Sequence, residues 1–71
     1  MNQINPKKLL HSKWTAVNPV KKEKHFLITE LKLDDEGEVI HCLIEAVISK
    51  RSEAIDWQAL KDPQCWLQGW K

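Results

Sequence analysis

The sequence predicts an α+β fold: a three-stranded antiparallel β-meander with short helical segments at the N- and C-termini packed on one face. Three observations carry that expectation. Two long runs rich in β-branched residues, 25–33 and 39–49, flank the acidic stretch Asp34-Asp35-Glu36-Gly37, which is strand–turn–strand composition. A shorter alternating run covers residues 12–17. Near the two ends, Asn5-Pro6 and Asp62-Pro63 pair a capping side chain with a proline suited to the first helical position. With 71 residues, the chain has room for one domain and a small core.

The elements are justified in chain order. Asn5 caps a helical turn over residues 6–10, with Ile4 and Leu9 at the hydrophobic-staple positions. In the first strand Trp14 and Ala16 share one face, and Asn18-Pro19 ends it. In the second strand Leu27, Thr29, Leu31 and Leu33 share a face; in the third, Ile40, Cys42, Ile44, Ala46 and Ile48 do. A four-residue loop over 34–37 pairs Leu33 with Glu38 and turns both faces to one core. A three-residue loop pairs Leu33 with Val39 and sends one apolar face to water. The first register is therefore expected. The third strand is long enough to overrun so small a domain, so it is expected to bend or bulge. Asp56 caps a second helical turn, with Ile55 and Leu60 as its staple. Pro63 opens a last turn, over residues 63–68, that Gly69 ends. A small closed barrel is the alternative architecture.

Composition narrows the function classes. Apolar residues make up 42% and charged residues 30%, the balance of a folded domain rather than a disordered tail. No apolar run approaches the roughly 18 residues of a membrane span, and residues 1–10 lack a secretory pattern. Cys42 and Cys65 have no CxxC spacing, so reduced thiols and a cytoplasmic location are expected. The net charge of +1 conceals a segregation. Residues 1–25 hold six lysines against Glu23, whereas residues 26–49 hold six acidic residues against Lys32. The hairpin places these at opposite ends, giving an acidic pole at residues 34–38 and a basic pole near Lys21, Lys22, Lys24, Lys50 and Arg51.

The aromatic residues are four Trp and one Phe, with no Tyr. The run at residues 5–17 (NPKKLLHSKWTAV) is followed by Lys22-Glu23-Lys24-His25-Phe26, Glu45-Ala46-Val47, Lys50-Arg51, Trp57 and Trp66-Leu67-Gln68-Gly69-Trp70. Together these resemble the small tryptophan-rich protein family of bacteria, which occurs in proteobacteria and cyanobacteria. The resemblance implies a bacterial protein with the pattern Trp14, Trp57, Trp66 and Trp70. The family has no assigned biochemical function, so the resemblance brings no catalytic residues.

Each candidate site has a plain structural reading beside it. Four indoles fill core volume that a short chain lacks, each burying 150–250 Å². Trp70, next to the terminus, is the one expected to be exposed and to serve recognition, with Trp14 and Trp57 shielded. Lys21, Lys22, Lys24, Lys50 and Arg51 are either a solvated hairpin end or contacts for phosphates. A single Arg speaks against sequence-specific nucleic-acid readout. The three His and two Cys lack the spacing of a metal site, with His25 and His41 expected on opposite faces. Glu30 and Glu45 have no evident partners. No nucleophile elbow, phosphate loop or metalloprotease helix is present. The expectation is a non-enzymatic protein-interaction or accessory module without cofactor or metal. Its partner is a protein, engaged through an exposed Trp or an open sheet edge. The alternative is a single-stranded nucleic-acid-binding module using the basic end and an exposed Trp. Nothing in the sequence fixes an oligomeric state.

Overall fold

β-Branched and apolar residues are concentrated in residues 26–33 and 39–48, and the backbone follows them into one antiparallel sheet. The computed structural model describes residues 2–71. The strands are β1 (Lys13–Val20), β2 (Glu23–Leu33), β3 (Val39–Ala46), β4 (Ser52–Ala54) and β5 (Trp66–Gln68). They lie in the order β4-β3-β2-β1-β5. The expected meander is the centre of the sheet, but the α+β, three-stranded reading is corrected: the fold is mostly β, with five strands. The sheet is open, not a closed barrel.

Among the described residues the helical pieces are two 3₁₀ turns, Pro6–Lys8 and Trp57–Lys61. Their caps are the expected ones. Asn5 Oδ1 accepts from the Lys7 amide at 3.0 Å, and Asp56 Oδ1 accepts from the Gln58 amide at 3.0 Å. The last helical turn does not form. Asp62 closes a single turn, its carbonyl accepting from the amides of Cys65 and Trp66. The chain then extends as β5 and pairs Ala16 with Trp66, Thr15 with Leu67 and Trp14 with Gln68. A helix there would have left the outer edge of β1 without hydrogen bonds. Gly69 still reverses the chain with a positive φ of 82°, at the end of a strand rather than a helix.

The overrun of the third strand is resolved by a turn. β3 stops at Ala46, where the Lys50 amide donates to the Ala46 carbonyl at 2.7 Å and the Ala46 amide to the Arg51 carbonyl at 2.8 Å. β4 returns along β3 and pairs Ala54 with Leu43.

The β2–β3 register is also corrected. Leu33 pairs with Val39, and Asp34 and Glu38 close a three-residue loop, with Gly37 at φ 84°. Burial is reconciled by two bulges. Thr29 is unpaired on β2 and Ile40 on β3, and each extra residue flips the strand that follows. The core face therefore takes Phe26 and Ile28, not Leu27 and Thr29, and Ile40 turns outward at 64% exposure. Buried Leu9, Trp14, Phe26, Ile28, Cys42, Ile44, Ala46 and Leu60 form the core, with both 3₁₀ turns covering one face of the sheet. Trp14 is 2% exposed and its indole N–H donates to Ser12 Oγ at 2.8 Å, so this indole fills core volume. Trp57 and Trp66 are half-buried against the same core.

Candidate functional site

Lys21 and Lys22 form the two-residue turn between β1 and β2, with φ of 54° and 65°. Positive φ at both central residues suits the twist of a two-residue hairpin, and Asn and Gly adopt it with little strain. Lysine does not, so this turn carries backbone strain while holding two exposed ammonium groups. Lys50, in the turn from β3 to β4, has φ 58°. Glu23 ties the two turns together. Its carboxylate accepts from Ser49 Oγ, from Arg51 Nη2 at 2.6 Å and from Arg51 Nε at 3.2 Å. Arg51 Nη1 reaches Glu53 at 2.9 Å. The chain's one arginine thus pairs with the one acidic residue of its first 25 positions. That pairing was missed from sequence; its signal was Glu23, the one carboxylate among the lysines of residues 1–25.

Lys21, Lys22, Lys24 and Lys50 lie at one end of the sheet, exposed and without ion-pair partners among the described residues. Arg51 shares that end but is held by two carboxylates. The Arg51 guanidinium, followed by the Ser49 hydroxyl, holds the Glu23 carboxyl at a pKa of about 2. Glu23 in turn keeps Arg51 charged above its ordinary value. Beside this cluster is a depression of about 180 Å³ lined by Ala16, Val20, Phe26 and Trp66 together with Glu23 and Arg51.

Trp70 lies on the face of the sheet opposite the core. After Gly69 the chain folds back over β1: the Thr15 hydroxyl donates to the Gly69 carbonyl at 2.7 Å and accepts from the Lys71 amide at 2.9 Å. This explains why both Trp14 and Thr15 are buried although they point to opposite faces. The Trp70 indole N–H donates to the Phe26 carbonyl at 2.9 Å, the His25 ring is 5.9 Å away at 33°, and Lys13 Nζ is 4.8 Å from the ring centre. Trp70 is nevertheless 43% exposed. It is the most exposed of the four indoles but held on the sheet by these contacts.

The bulges change what this face carries. His25 and His41, expected on opposite faces, share it, because Thr15 pairs with His25 and the ladder then pairs Leu27 with Glu45. Each has its own partner: His25 Nε2 meets the Lys71 carbonyl at 3.0 Å, and His41 Nε2 meets Glu30 at 3.2 Å. Glu45 meets Ser52 Oγ at 3.4 Å. Neither glutamate is partnerless. Among the described residues no three His, Cys, Asp or Glu side chains gather as a metal site, and no helix is long and apolar enough to cross a membrane. Cys42 is buried, which pushes its thiol pKa up. Cys65 is exposed, and the adjacent Asp62 charge pushes its thiol up as well.

Residues 12–71 match the family described as tryptophan-rich protein (DUF2389). The chain belongs to this family. The family is a domain of unknown function. Its match takes in β1, the whole sheet, all four Trp and the basic turns, but begins after the run at residues 5–11. That run, part of the sequence resemblance, supplies Leu9 to the core of this DUF2389 chain. Searches of curated proteins and of solved structures found no match.

Proposed function

We propose that this DUF2389 protein is a non-enzymatic protein-interaction module whose docking centre is Trp70. The observation that carries the reading is an exposed indole held in one orientation by Phe26, His25 and Lys13. A fixed aromatic side chain loses little entropy on binding, which is why Trp dominates interface energetics. The partner it fits is a protein segment combining an apolar side chain with carboxylates. Lys13 sits over the ring, and the basic turns adjoin His25 through the Val47 amide, which donates to the His25 carbonyl at 2.9 Å. Base stacking is the poorer fit: a single exposed indole offers no row of stacking platforms, and Arg51 is committed to Glu23 and Glu53. Raised thiol pKa values at Cys42 and Cys65 support a role without a cysteine nucleophile. Two free thiols also fit a reducing bacterial cytoplasm.

The test uses protein labelled with 5-fluorotryptophan, the Trp70 resonance being assigned through Trp70→Phe. A synthetic peptide alternating Leu and Glu should shift that resonance, and Trp70→Ala should weaken the peptide's binding by roughly ten-fold or more. A shift caused by oligothymidylate at low salt but not by the peptide would transfer the site to nucleic acid and end this reading. No response to either also ends it.

A further inference from the structure

We propose that the protein pairs with a second copy of itself, antiparallel and two-fold symmetric, along the β4 edge of the sheet. The β4 edge differs from the Trp70 face, although the lysine turns lie beside both; the inference goes beyond the function proposed above and has its own test.

The first observation is the contrast between the two sheet edges. β5 is covered. The Asn2 side chain donates to the carbonyls of Leu60 and Trp66 at 2.8 Å each, and the Gln68 side chain reaches the Gln3 carbonyl. β4 has no such cover among the described residues. Ser52, Glu53 and Ala54 are all exposed, and the strand contains no proline, lysine or bulge. Those are three of the devices that keep a strand edge from pairing; the short length of β4 and the charge of Glu53 are two others, so this edge selects a partner whose charges match its ends. Past β4 the Ile55 amide donates to the Cys42 carbonyl at 3.0 Å, and beyond that, among the described residues, the outer edge of β3 has no ladder partner from Val39 to His41.

The second observation is what stands at the two ends of that edge. At one end are the acidic loop, with Asp35, Glu36 and Glu38, and the outward-turned Ile40 at 64% exposure. At the other are Lys50 and Ile48, the latter at 70% exposure, in the β3–β4 turn; Lys21 and Lys22 stand at the same end of the sheet, in the turn between β1 and β2. The molecule measures 37 Å along its longest dimension, and the strands that separate the poles run well beyond the roughly 8–10 Å over which salt screens charge. Each copy is therefore a dipole with an exposed isoleucine near either pole.

These features are self-complementary in one arrangement. Two copies side by side and antiparallel set each acidic loop against the other's lysine turns, and each Ile40 against the other's Ile48. A two-fold axis repeats every contact and closes the assembly at two. A parallel arrangement would set acid against acid and lysine against lysine. At the axis lies Glu53, whose charge is met by Arg51 within its own chain. The strained lysines at φ 54°, 65° and 58° also gain a reason. Asn or Gly would relax those turns but would remove the charges the partner's loop requires.

The experiment is sedimentation equilibrium of the full chain at about 20 mM and about 500 mM salt. Dimer is expected at low salt, with the dissociation constant rising roughly ten-fold or more at high salt. One variant reverses the basic pole with Lys21→Asp, Lys22→Asp and Lys50→Asp, since Asp tolerates positive φ. A second reverses the acidic pole with Asp35→Lys, Glu36→Lys and Glu38→Lys, sparing Asp34, whose side chain holds the loop. Each alone should be monomeric with native circular dichroism, and an equimolar mixture should restore the dimer. In a Cys65→Ser background, Ile40→Cys mixed with Ile48→Cys should give a disulfide between copies. Should one reversal fail to fold, this cross-link still decides. The proposal is overturned by a monomeric wild type at low salt, by a mixture that stays monomeric, or by a mass that grows without limit. Trp70→Ala, which tests the peptide site, should leave the dimer intact, and that separates the two readings.

Discussion

Glu23 shows how one side chain settles the character of a surface. It is a carboxylate surrounded by lysines in sequence, buried beside Phe26, and satisfied by Arg51 and Ser49. Removing Arg51 would leave this carboxylate desolvated and unmatched, which is where the energetic penalty lies, whereas the guanidinium is half-exposed and keeps Glu53. Its folded pKa is about 2 against an ordinary value of 4.5. Because the folded value is the lower one, this contribution to stability is complete above about pH 4.5 and is lost as pH falls through about 2. Glu23→Gln should therefore lower the melting temperature at pH 7 and flatten the decline between pH 4.5 and 2. A melting profile against pH that is unchanged by the substitution would show that the pair does not stabilise the fold. Trp14 works differently: it is held by burial and one hydrogen bond to Ser12, and it was readable as core because Ala16 shares its face.

The strands show where sequence patterning is informative and where it misleads. The existence of β1, β2 and β3 followed from period-two alternation, and the caps at Asn5 and Asp56 followed from residue type. Two kinds of feature escaped. Bulges at Thr29 and Ile40 each add one residue and invert the faces beyond them, so a strict alternation rule selected the wrong loop. β4 and β5 are three residues long, too short for any period, and their extension is decided by the unpaired edges of β3 and β1. The basic cluster was legible because turns collect at strand ends; the removal of Arg51 from it was not, because Glu23 is distant in sequence. The Lys21-Lys22 turn carries the prediction at this scale. Lys21→Asn with Lys22→Gly should stabilise the domain by about 1–2 kcal/mol, by relieving positive φ at two lysines. Urea unfolding measures this, and an unchanged or lower midpoint would contradict the strain. The same pair of substitutions should weaken self-association.

At the scale of the molecule, the sheet is one layer with a covered face and an open one, and the C-terminal residues are what the open face has in place of a second layer. Gly69, Trp70 and Lys71 close over Thr15 and His25. Deleting these three residues should cost about 2–3 kcal/mol, from lost hydrogen bonds and the uncovered Thr15. A domain of this size has roughly 3–5 kcal/mol in total, so the truncated chain should melt far below the intact one. Equal melting temperatures would mean that the tail is not docked. The opening of the sheet towards solvent also explains why indole content alone did not identify a binding surface: Trp14, Trp57 and Trp66 serve the covered face, and only Trp70 is on the other.

The placement of β5 beside β1 has a consequence for the order in which the chain folds. The connections from β1 through β4 are turns of a few residues, whereas β5 joins β1 from the far end of the sequence. Closing a short loop loses little chain entropy and closing a long one loses more, so the β1–β4 meander forms early and β5 arrives late. In the interval β1 is a bare hydrogen-bonding edge, and Thr15 lacks the Gly69 and Lys71 partners that cover it. The chain is then most open to capture by a neighbouring strand, and the docking of its last strand ends that exposure.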